Sequence, residues 1–165
     1  MVQNAGTARD GPAGLVMAWV NIRPAAAADR EIAHRLLTAQ LVEHRLPADA
    51  QGIARGLNLA LAPHSSAWLW LAERKGQAVA IFLANEIISV ERGGRVLWVE
   101  ELYVVPEARR TGVARALLVA VGKEAVRREI RAIELEVLPA QAAALALYEA
   151  LGFEDVPRRR KSLAL

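Results

Sequence analysis

Residues 104–115 read VVPEARRTGVAR. An apolar stretch from Leu97 to Val105 leads into this segment, Pro106 interrupts it, and a helical pattern begins beside Gly112. Proline cannot donate a hydrogen bond to a strand ladder, so strand pairing is expected to stop or splay there. A helix N-terminus offers free N–H groups and the positive end of the helix dipole. The segment therefore predicts a strand, a basic loop and a helix start whose backbone suits a pyrophosphate.

Length and composition favour one folded domain. The chain has 165 residues, of which 54% are hydrophobic, and it contains no cysteine. We expect a flexible tail over residues 1–14 and a single domain over residues 15–165. The lack of cysteine excludes thiol catalysis and disulfides, and it favours a reducing, cytoplasmic compartment.

Charge and hydropathy argue against nucleic-acid, membrane and metal partners. The net charge of +3 suits an anionic ligand but is too small to indicate nucleic acid. No apolar run approaches the roughly 20 residues of a membrane span, so no membrane association is expected. The three histidines lack a common short spacing, so we expect no metal site.

Apolar periodicity predicts an α+β domain with a mixed sheet. The three central strands are joined by tight turns and should pair antiparallel. Asp29 and Asp49 are candidate helix N-caps, and Gly152 should end the last helix in the left-handed conformation. The predicted strands are Ala18–Arg23, Ala67–Glu73, Val79–Val90, Leu97–Val105 and Ile133–Val137, with one or two more within Phe153–Leu165. The predicted helices are Asp29–Arg45, Asp49–Leu61, Gly112–Arg131 and Ala140–Leu151.

Two segments of the chain resemble the GNAT superfamily of N-acetyltransferases. Residues 100–106 run into the pattern RxxGxA at residues 109–114, which is similar to the family's acetyl-CoA motif, R/Q-x-x-G-x-G/A. Residues 142–153 resemble the family's closing LYExLGF segment. The closest pattern is that of the ribosomal-protein alanine acetyltransferase branch, a group of small bacterial GNAT proteins. Its spacing between a glutamate and a tyrosine is kept between Glu136 and Tyr148.

The resemblance implies a fold, a reaction and a donor. The fold would be a twisted mixed sheet of about six to seven strands with about four helices. Its splayed strands, Leu97–Val105 and Ile133–Val137, would form the acetyl-CoA cleft. The protein would move an acetyl group directly to a primary amine of a small molecule or a peptide N-terminus, as a monomer or homodimer and without a metal.

The resemblance also implies which residues bind the cofactor. The pantetheine arm would bond the backbone of Leu102, Tyr103 and Val104 at the strand end. The N–H groups at the helix start would hold the pyrophosphate, because small residues there let phosphate oxygens reach the backbone. Gln141 stands where the family commonly has asparagine, and we expect its amide to contact the cofactor. The loop residues of this set are Arg109, Arg110, Thr111, Gly112, Val113, Ala114 and Arg115.

Tyr148 matches the family's usual general acid, which would protonate the departing CoA thiolate. Gln141, Leu145 and Tyr148 are spaced by four and three residues, so they share one face of the predicted helix. A half-buried tyrosine with a local hydrogen-bond partner is the structural alternative.

Four carboxylates are candidates for the base that removes a proton from the attacking amine. Glu136 matches the base position of the alanine acetyltransferase branch, and Glu100 matches a position seen in polyamine-type and aminoglycoside-type relatives. Strand alternation puts Glu134 and Glu136 on one face. Glu100 and Glu101 should point to opposite faces unless a bulge intervenes. Glu136 and Glu100 are favoured nearly equally, and exposed strand carboxylates are the structural alternative.

A second interpretation belongs to another functional class. A non-catalytic acyl-CoA-binding regulatory module would need the same loop and helix start but no acid or base. Tyr148 and the carboxylates favour the enzyme.

Overall fold

The computed structural model describes residues 20–158 and 160–163. The chain forms two compact units, the first ending at Leu135 and the second beginning at Glu136. The predicted tail over residues 1–14 and the start of the first predicted strand lie outside the described residues. Within the described ranges, no helix is both long and apolar enough to cross a bilayer.

Strands and helices follow one another in the predicted order, which confirms the α+β class. The strands are β1 (Asn21–Pro24), β2 (Ala67–Arg74), β3 (Gln77–Ser89), β4 (Gly94–Val104) and β5 (Ala132–Leu135). The helices are α1 (Arg30–Glu43), α2 (Ala50–Ala60), α3 (Val113–Arg127) and α4 (Ala142–Glu149). Two short 3₁₀ turns lie at Ala27–Asp29 and Pro106–Ala108.

The sheet is mixed, with strand order β1-β2-β3-β4-β5. Strands β1 to β4 pair antiparallel with their neighbours in sequence, which confirms the antiparallel pairing predicted for the three central strands. Strand β5 is parallel to β4 and lies opposite residues 96–99 only. Because β4 continues to Val104, residues 100–104 extend past the end of β5.

Helices cover both faces of this sheet. On one face, side chains of α1 and α2 form a core with residues of β2, β3 and β4. Alternate sheet residues such as Ala80 and Phe82 are also fully buried, and α3 packs against β1 to β4. Burying a side chain such as Leu36 or Phe82, both 0% exposed, contributes roughly 2 kcal/mol to stability. The first core comprises Ala33, Leu36, Leu37, Leu57, Leu69, Leu71, Ala78, Ile81 and Tyr103.

The two predicted aspartate caps have different outcomes. Asp49 caps α2 as predicted, since its carboxylate accepts from the N–H groups of Gln51 at 3.0 Å and Gly52 at 2.9 Å. Asp29 stands at the N-cap of α1 but makes no side-chain hydrogen bond to that helix. Its carboxylate accepts from the Arg23 guanidinium at 2.7 and 2.8 Å and from an upstream backbone N–H. The prediction that Asp29 caps α1 is therefore wrong, because an ion pair occupies its oxygens.

Helix α3 ends at Arg127, before the predicted Arg131. Glu129 adopts a left-handed φ of +57°, and the Ile130 N–H bonds the Ala125 carbonyl at 2.9 Å. This closes the helix in the way a glycine usually does. The sequence offers no glycine at this point, so the end was not visible in it.

Among the described residues the sheet has five strands, whereas about six to seven were predicted. Residues 153–158 and 160–163 contain no strand. Pro157 cannot donate to a ladder, and the side chains around it are exposed, so they bury no apolar face against the sheet. Strand β5 also stops at Leu135 rather than Val137.

Candidate functional site

The loop between β4 and α3 contains two left-handed residues. Arg110 has a φ of +59° and Gly112 a φ of +84°. The Thr111 hydroxyl donates to the Ala108 carbonyl at 2.7 Å and fixes the turn between them. Glycine adopts such a φ without a Cβ clash, so Gly112 lets the chain enter the helix abruptly.

The first turn of α3 presents backbone N–H groups. The Ala116 N–H bonds the Gly112 carbonyl at 2.9 Å. The N–H groups of Val113, Ala114 and Arg115 precede this bond, in the part of a helix where N–H groups have no intrahelical partner. The Val113 side chain is 1% exposed, so it anchors the turn in the core. This geometry suits an anion at the helix start.

Arg109 is engaged by its own protein. Its Nε donates to the Val104 carbonyl at 2.9 Å, and its terminal nitrogen donates to the Glu43 carboxylate at 2.6 Å. The guanidinium also lies 5.6 Å from the ring centre of Tyr103. The hydrogen bond from Arg109 lowers the pKa of Glu43, so the pair is held as two charges. Arg109 therefore links the loop to the end of α1.

Strand β4 contains a bulge at Glu100. The register places Val99 opposite Ala84 and Glu101 opposite Leu83, so two steps of β4 match one step of β3. Directly opposed residues share a face of the sheet, so Glu101 lies on the face of Leu83 and Val99 on the other face. Without the extra residue, the two-residue period would put Glu101 on the same face as Val99. The bulge thus turns Glu101 toward α1 and α2, where Leu83 packs.

Glu101 lies in a partly closed environment. Its carboxylate accepts a hydrogen bond from the Gln40 Nε2 of α1, and it lines a cavity of about 430 Å³. Burial raises the pKa of Glu101 above its ordinary value, the Gln40 hydrogen bond opposes this, and the neighbouring Glu100 adds to it. The sequence pattern did not favour Glu101 as the base, because the position of a bulge cannot be read from strand alternation alone.

The other candidate bases face solvent or hold an ion pair. Glu100 is exposed at the bulge. Glu134 accepts from Arg92 at 3.0 Å. In the second unit, Glu136 is 44% exposed and accepts from Arg160 at 2.9 Å.

In the second unit, α4 carries the predicted acid. Tyr148 is half-buried, and its ring centre lies 5.4 Å from that of Phe153. Burial raises the pKa of Tyr148. Gln141 occupies the N-cap position, where its side-chain oxygen accepts from the Leu138 N–H at 3.3 Å. Gly152 has a φ of +84°, which confirms the predicted left-handed cap.

The predicted residues divide between the two units. Leu102, Tyr103, Val104 and the loop over residues 109–115 form one continuous segment of the first unit, beyond the end of β5. Glu100 adjoins this segment on β4, whereas Glu136, Gln141 and Tyr148 belong to the second unit. The roles of all these residues stay predictions.

Comparisons with known proteins agree with this architecture. The model of the acetyltransferase (GNAT) family matches residues 30–153. The [ribosomal protein bS18]-alanine N-acetyltransferase of Escherichia coli (strain K12) is 44% identical over 57 residues, which are 34% of this chain and 38% of that protein. The uncharacterized N-acetyltransferase YhfO of Bacillus subtilis (strain 168) is 28% identical over 136 residues, 82% of this chain and 91% of that protein.

A solved structure has the same fold. A predicted acetyltransferase from Clostridium acetobutylicum, whose crystal structure was determined with acetyl-CoA, superposes with a TM-score of 0.73 at 22% identity. The superposition covers 87% of this chain and 96% of that one. The mixed sheet with its strand, loop and helix start is thus an acetyltransferase fold. With the family match over residues 30–153, the chain belongs to the acetyltransferase (GNAT) family.

Proposed function

We propose that the protein is an acetyl-CoA-dependent N-acetyltransferase that moves an acetyl group directly to a primary amine. The observation that carries the proposal is the segment from β4 to α3. There a strand extends past its neighbour and passes through a left-handed Gly112 into a helix start with backbone N–H groups. The family match and the acetyl-CoA found with the Clostridium acetobutylicum relative support acetyl-CoA as the donor.

The donor would lie along this segment. The pyrophosphate would accept hydrogen bonds from N–H groups of residues 110–115, with Arg110 and Arg115 adding charge. The pantetheine arm would bond the backbone of residues 102–104, in the manner of an added strand. Gln141 is an additional proposed contact. Arg109 would contribute mainly by ordering the loop, because its guanidinium is already bonded to Glu43 and Val104.

The reaction would proceed in one transfer without an acyl-enzyme. The neutral amine nitrogen attacks the thioester carbon, a proton leaves the nitrogen for a carboxylate, and the carbon–sulfur bond breaks. Tyr148 would protonate the departing thiolate. The Val104 N–H would stabilise the oxyanion. Deprotonating an alkyl ammonium of pKa about 10.4 at pH 7 costs roughly 4 to 5 kcal/mol, against about 1 kcal/mol for an α-amino group, so a placed base matters most for the former.

The base would be Glu136 or Glu100. Each has a feature against it, since Glu136 is held by Arg160 and Glu100 is exposed. These two features favour the second candidate function, a non-catalytic acyl-CoA-binding regulatory module.

The acceptor would be a small amine or a peptide N-terminus, the latter by analogy with the alanine acetyltransferase of Escherichia coli. A cytoplasmic location and a monomeric or homodimeric state remain predictions.

One experiment separates these possibilities. Acetyl-CoA should bind in calorimetry and raise the melting temperature at concentrations well above its Kd. An amine panel should then release CoA from acetyl-CoA. Lack of binding at millimolar acetyl-CoA would reject both functions. Binding without CoA release from any amine would leave the regulatory module.

A further inference from the structure

The face of the sheet covered by α1 and α2 holds a cavity that the donor segment does not use. Its volume, about 430 Å³, lies in the range of small-molecule sites. Most of its wall is aliphatic, contributed by α1, α2 and β3. The aliphatic side chains are Leu37, Leu41, Ile53, Leu57, Leu59 and Leu83.

Glu101 is the one charged side chain among the described residues that line this cavity. The bulge at Glu100 puts it there, on the face of Leu83. Burying a carboxylate costs free energy unless a partner compensates, and here burial raises the pKa of Glu101. The only protein hydrogen bond to this carboxylate comes, among the described residues, from the Gln40 Nε2. A cation in the cavity would supply the missing partner.

Gln40, the hydrogen-bond partner of Glu101, is itself buried and only partly satisfied. Its side chain is 5% exposed, and its Oε1 is the buried side-chain atom without a hydrogen-bond partner in the described part of the chain. Buried polar oxygens are nearly always satisfied. Gln40 does not itself line the cavity, so the acceptor that faces the cavity is the Glu101 carboxylate, which suits a group that carries several N–H donors, as an ammonium does.

We infer that this cavity binds the acceptor as an apolar monoamine, with its ammonium group on Glu101 and its hydrocarbon part among the leucines of α1 and α2. This rests on the proposed acetyltransferase function. A polycation such as a polyamine or an aminoglycoside would bring further charges, and no second carboxylate lines the described cavity. A peptide N-terminus would bring amide groups, for which the wall offers only Ser65, Ser66 and Asn85 as polar side chains.

The first test measures amine binding without acetyl-CoA, so that it does not depend on the donor. Calorimetry of the full chain would compare 2-phenylethylamine with spermidine, neamine and a tripeptide beginning with alanine. We expect 2-phenylethylamine to bind best and to be acetylated fastest, as measured by CoA release. Tighter binding or faster acetylation of any of the others would overturn the assignment of an apolar monoamine. If acetyl-CoA failed to bind, the proposed acetyltransferase function would be rejected. The amine-binding result would remain valid, because it is measured without acetyl-CoA.

Two variants and one control test the position of the amine. Glu101→Gln should weaken 2-phenylethylamine binding about 10- to 100-fold, the range of a hydrogen bond to a charged group, and leave acetyl-CoA affinity unchanged. Gly56→Leu should narrow the cavity, because Gly56 lines it and a Cβ there meets no atom within 4 Å. It should therefore exclude 2-phenylethylamine more strongly than methylamine.

Gly122→Leu is the matched control. Gly122 lies in α3, away from the cavity lining, and a Cβ there also meets nothing within 4 Å. Both glycine replacements favour their helices similarly, so only Gly56→Leu should change amine selectivity. Unchanged 2-phenylethylamine binding in both Glu101→Gln and Gly56→Leu would overturn the proposed site.

Discussion

The Arg109 guanidinium meets the Glu43 carboxylate at 2.6 Å and joins the loop after β4 to the last residue of α1. The same guanidinium donates to the Val104 carbonyl at 2.9 Å and lies over the Tyr103 ring. These contacts fix the strand end and the loop relative to each other. The arginine of the RxxGxA pattern therefore acts here as an internal brace, which its place in a predicted phosphate-binding segment does not reveal.

Glu43→Gln tests whether this brace matters for donor binding. Charge alone predicts tighter acetyl-CoA binding, because a negative charge near the proposed pyrophosphate site would be removed. We expect the opposite, a weakening of up to about fivefold, since the variant loses an ion pair that orders the loop. Calorimetric titration with acetyl-CoA measures the difference.

Glu107→Gln is the control for that experiment. Glu107 is exposed on the same loop, and no hydrogen bond from Arg109 to it is observed among the described residues. The Glu107→Gln substitution removes one negative charge, as Glu43→Gln does, but leaves the contacts of Arg109 in place. It should therefore leave the affinity for acetyl-CoA unchanged or raise it. If both variants bound acetyl-CoA more tightly, the brace would have no role in binding.

Gly112→Glu should abolish acetyl-CoA binding, with a loss of roughly 100-fold or more, because it puts an anionic side chain where the phosphates would bind. It should also cost about 1 to 2 kcal/mol of stability through the left-handed φ of +84°. Gly93→Glu is the matched control, since Gly93 has a φ of +67° in the hairpin between β3 and β4. Both variants should lose stability in urea titrations. Equal acetyl-CoA affinities for the two variants would show that the phosphates do not bind at Gly112.

The fold was largely predictable because its signals are local. Gly152 and Asp49 end and begin helices through bonds within a few residues, and the sequence shows both. Helix α3 ended early because Glu129 takes a left-handed φ that nothing in its residue type announces. The last predicted strands do not form over residues 153–158 and 160–163, where Pro157 cannot donate to a ladder.

The site was less predictable because it depends on register and on distant side chains. The loop at Gly112 was visible as a pattern. The orientation of Glu101 depends on a bulge one residue away, and the engagement of Arg109 depends on Glu43, 66 positions earlier. Sequence spacing does not encode either relationship.

Tyr148→Phe should lower kcat more than it changes the KM for acetyl-CoA, if the hydroxyl protonates the thiolate. The variant keeps the ring that lies 5.4 Å from Phe153, so its stability should change little. Phe153→Leu serves as the converse control, because it removes the ring contact and keeps the hydroxyl. It should lower the melting temperature while retaining turnover at low temperature. Turnover by Tyr148→Phe equal to that of the wild type would remove the acid role.

The pH dependence of stability should report the ion pair between Arg23 and Asp29. Hydrogen bonds from Arg23 lower the pKa of Asp29 to about 2 from an ordinary value of 3.8, and the Asp29 side chain is only 9% exposed. A carboxylate whose folded-state pKa is lowered stabilises the fold above its unfolded pKa, and this contribution is lost as the pH falls through the folded pKa. Asp29 should therefore contribute about 2 kcal/mol at pH 7, and most of this should disappear between about pH 4 and pH 2.

Asp29→Asn isolates this contribution, because asparagine does not titrate. Urea unfolding should show the variant to be less stable than the wild type at pH 7, with the difference shrinking toward pH 2 as Asp29 of the wild type becomes protonated. Glu73 also accepts from Arg23 and has a lowered pKa, but it is present in both proteins, so its own titration should largely cancel in the difference. A stability difference that stayed constant from pH 7 to pH 2 would show that packing or the hydrogen bond donated by the Ala26 N–H, rather than the charge of Asp29, supplies the stabilisation.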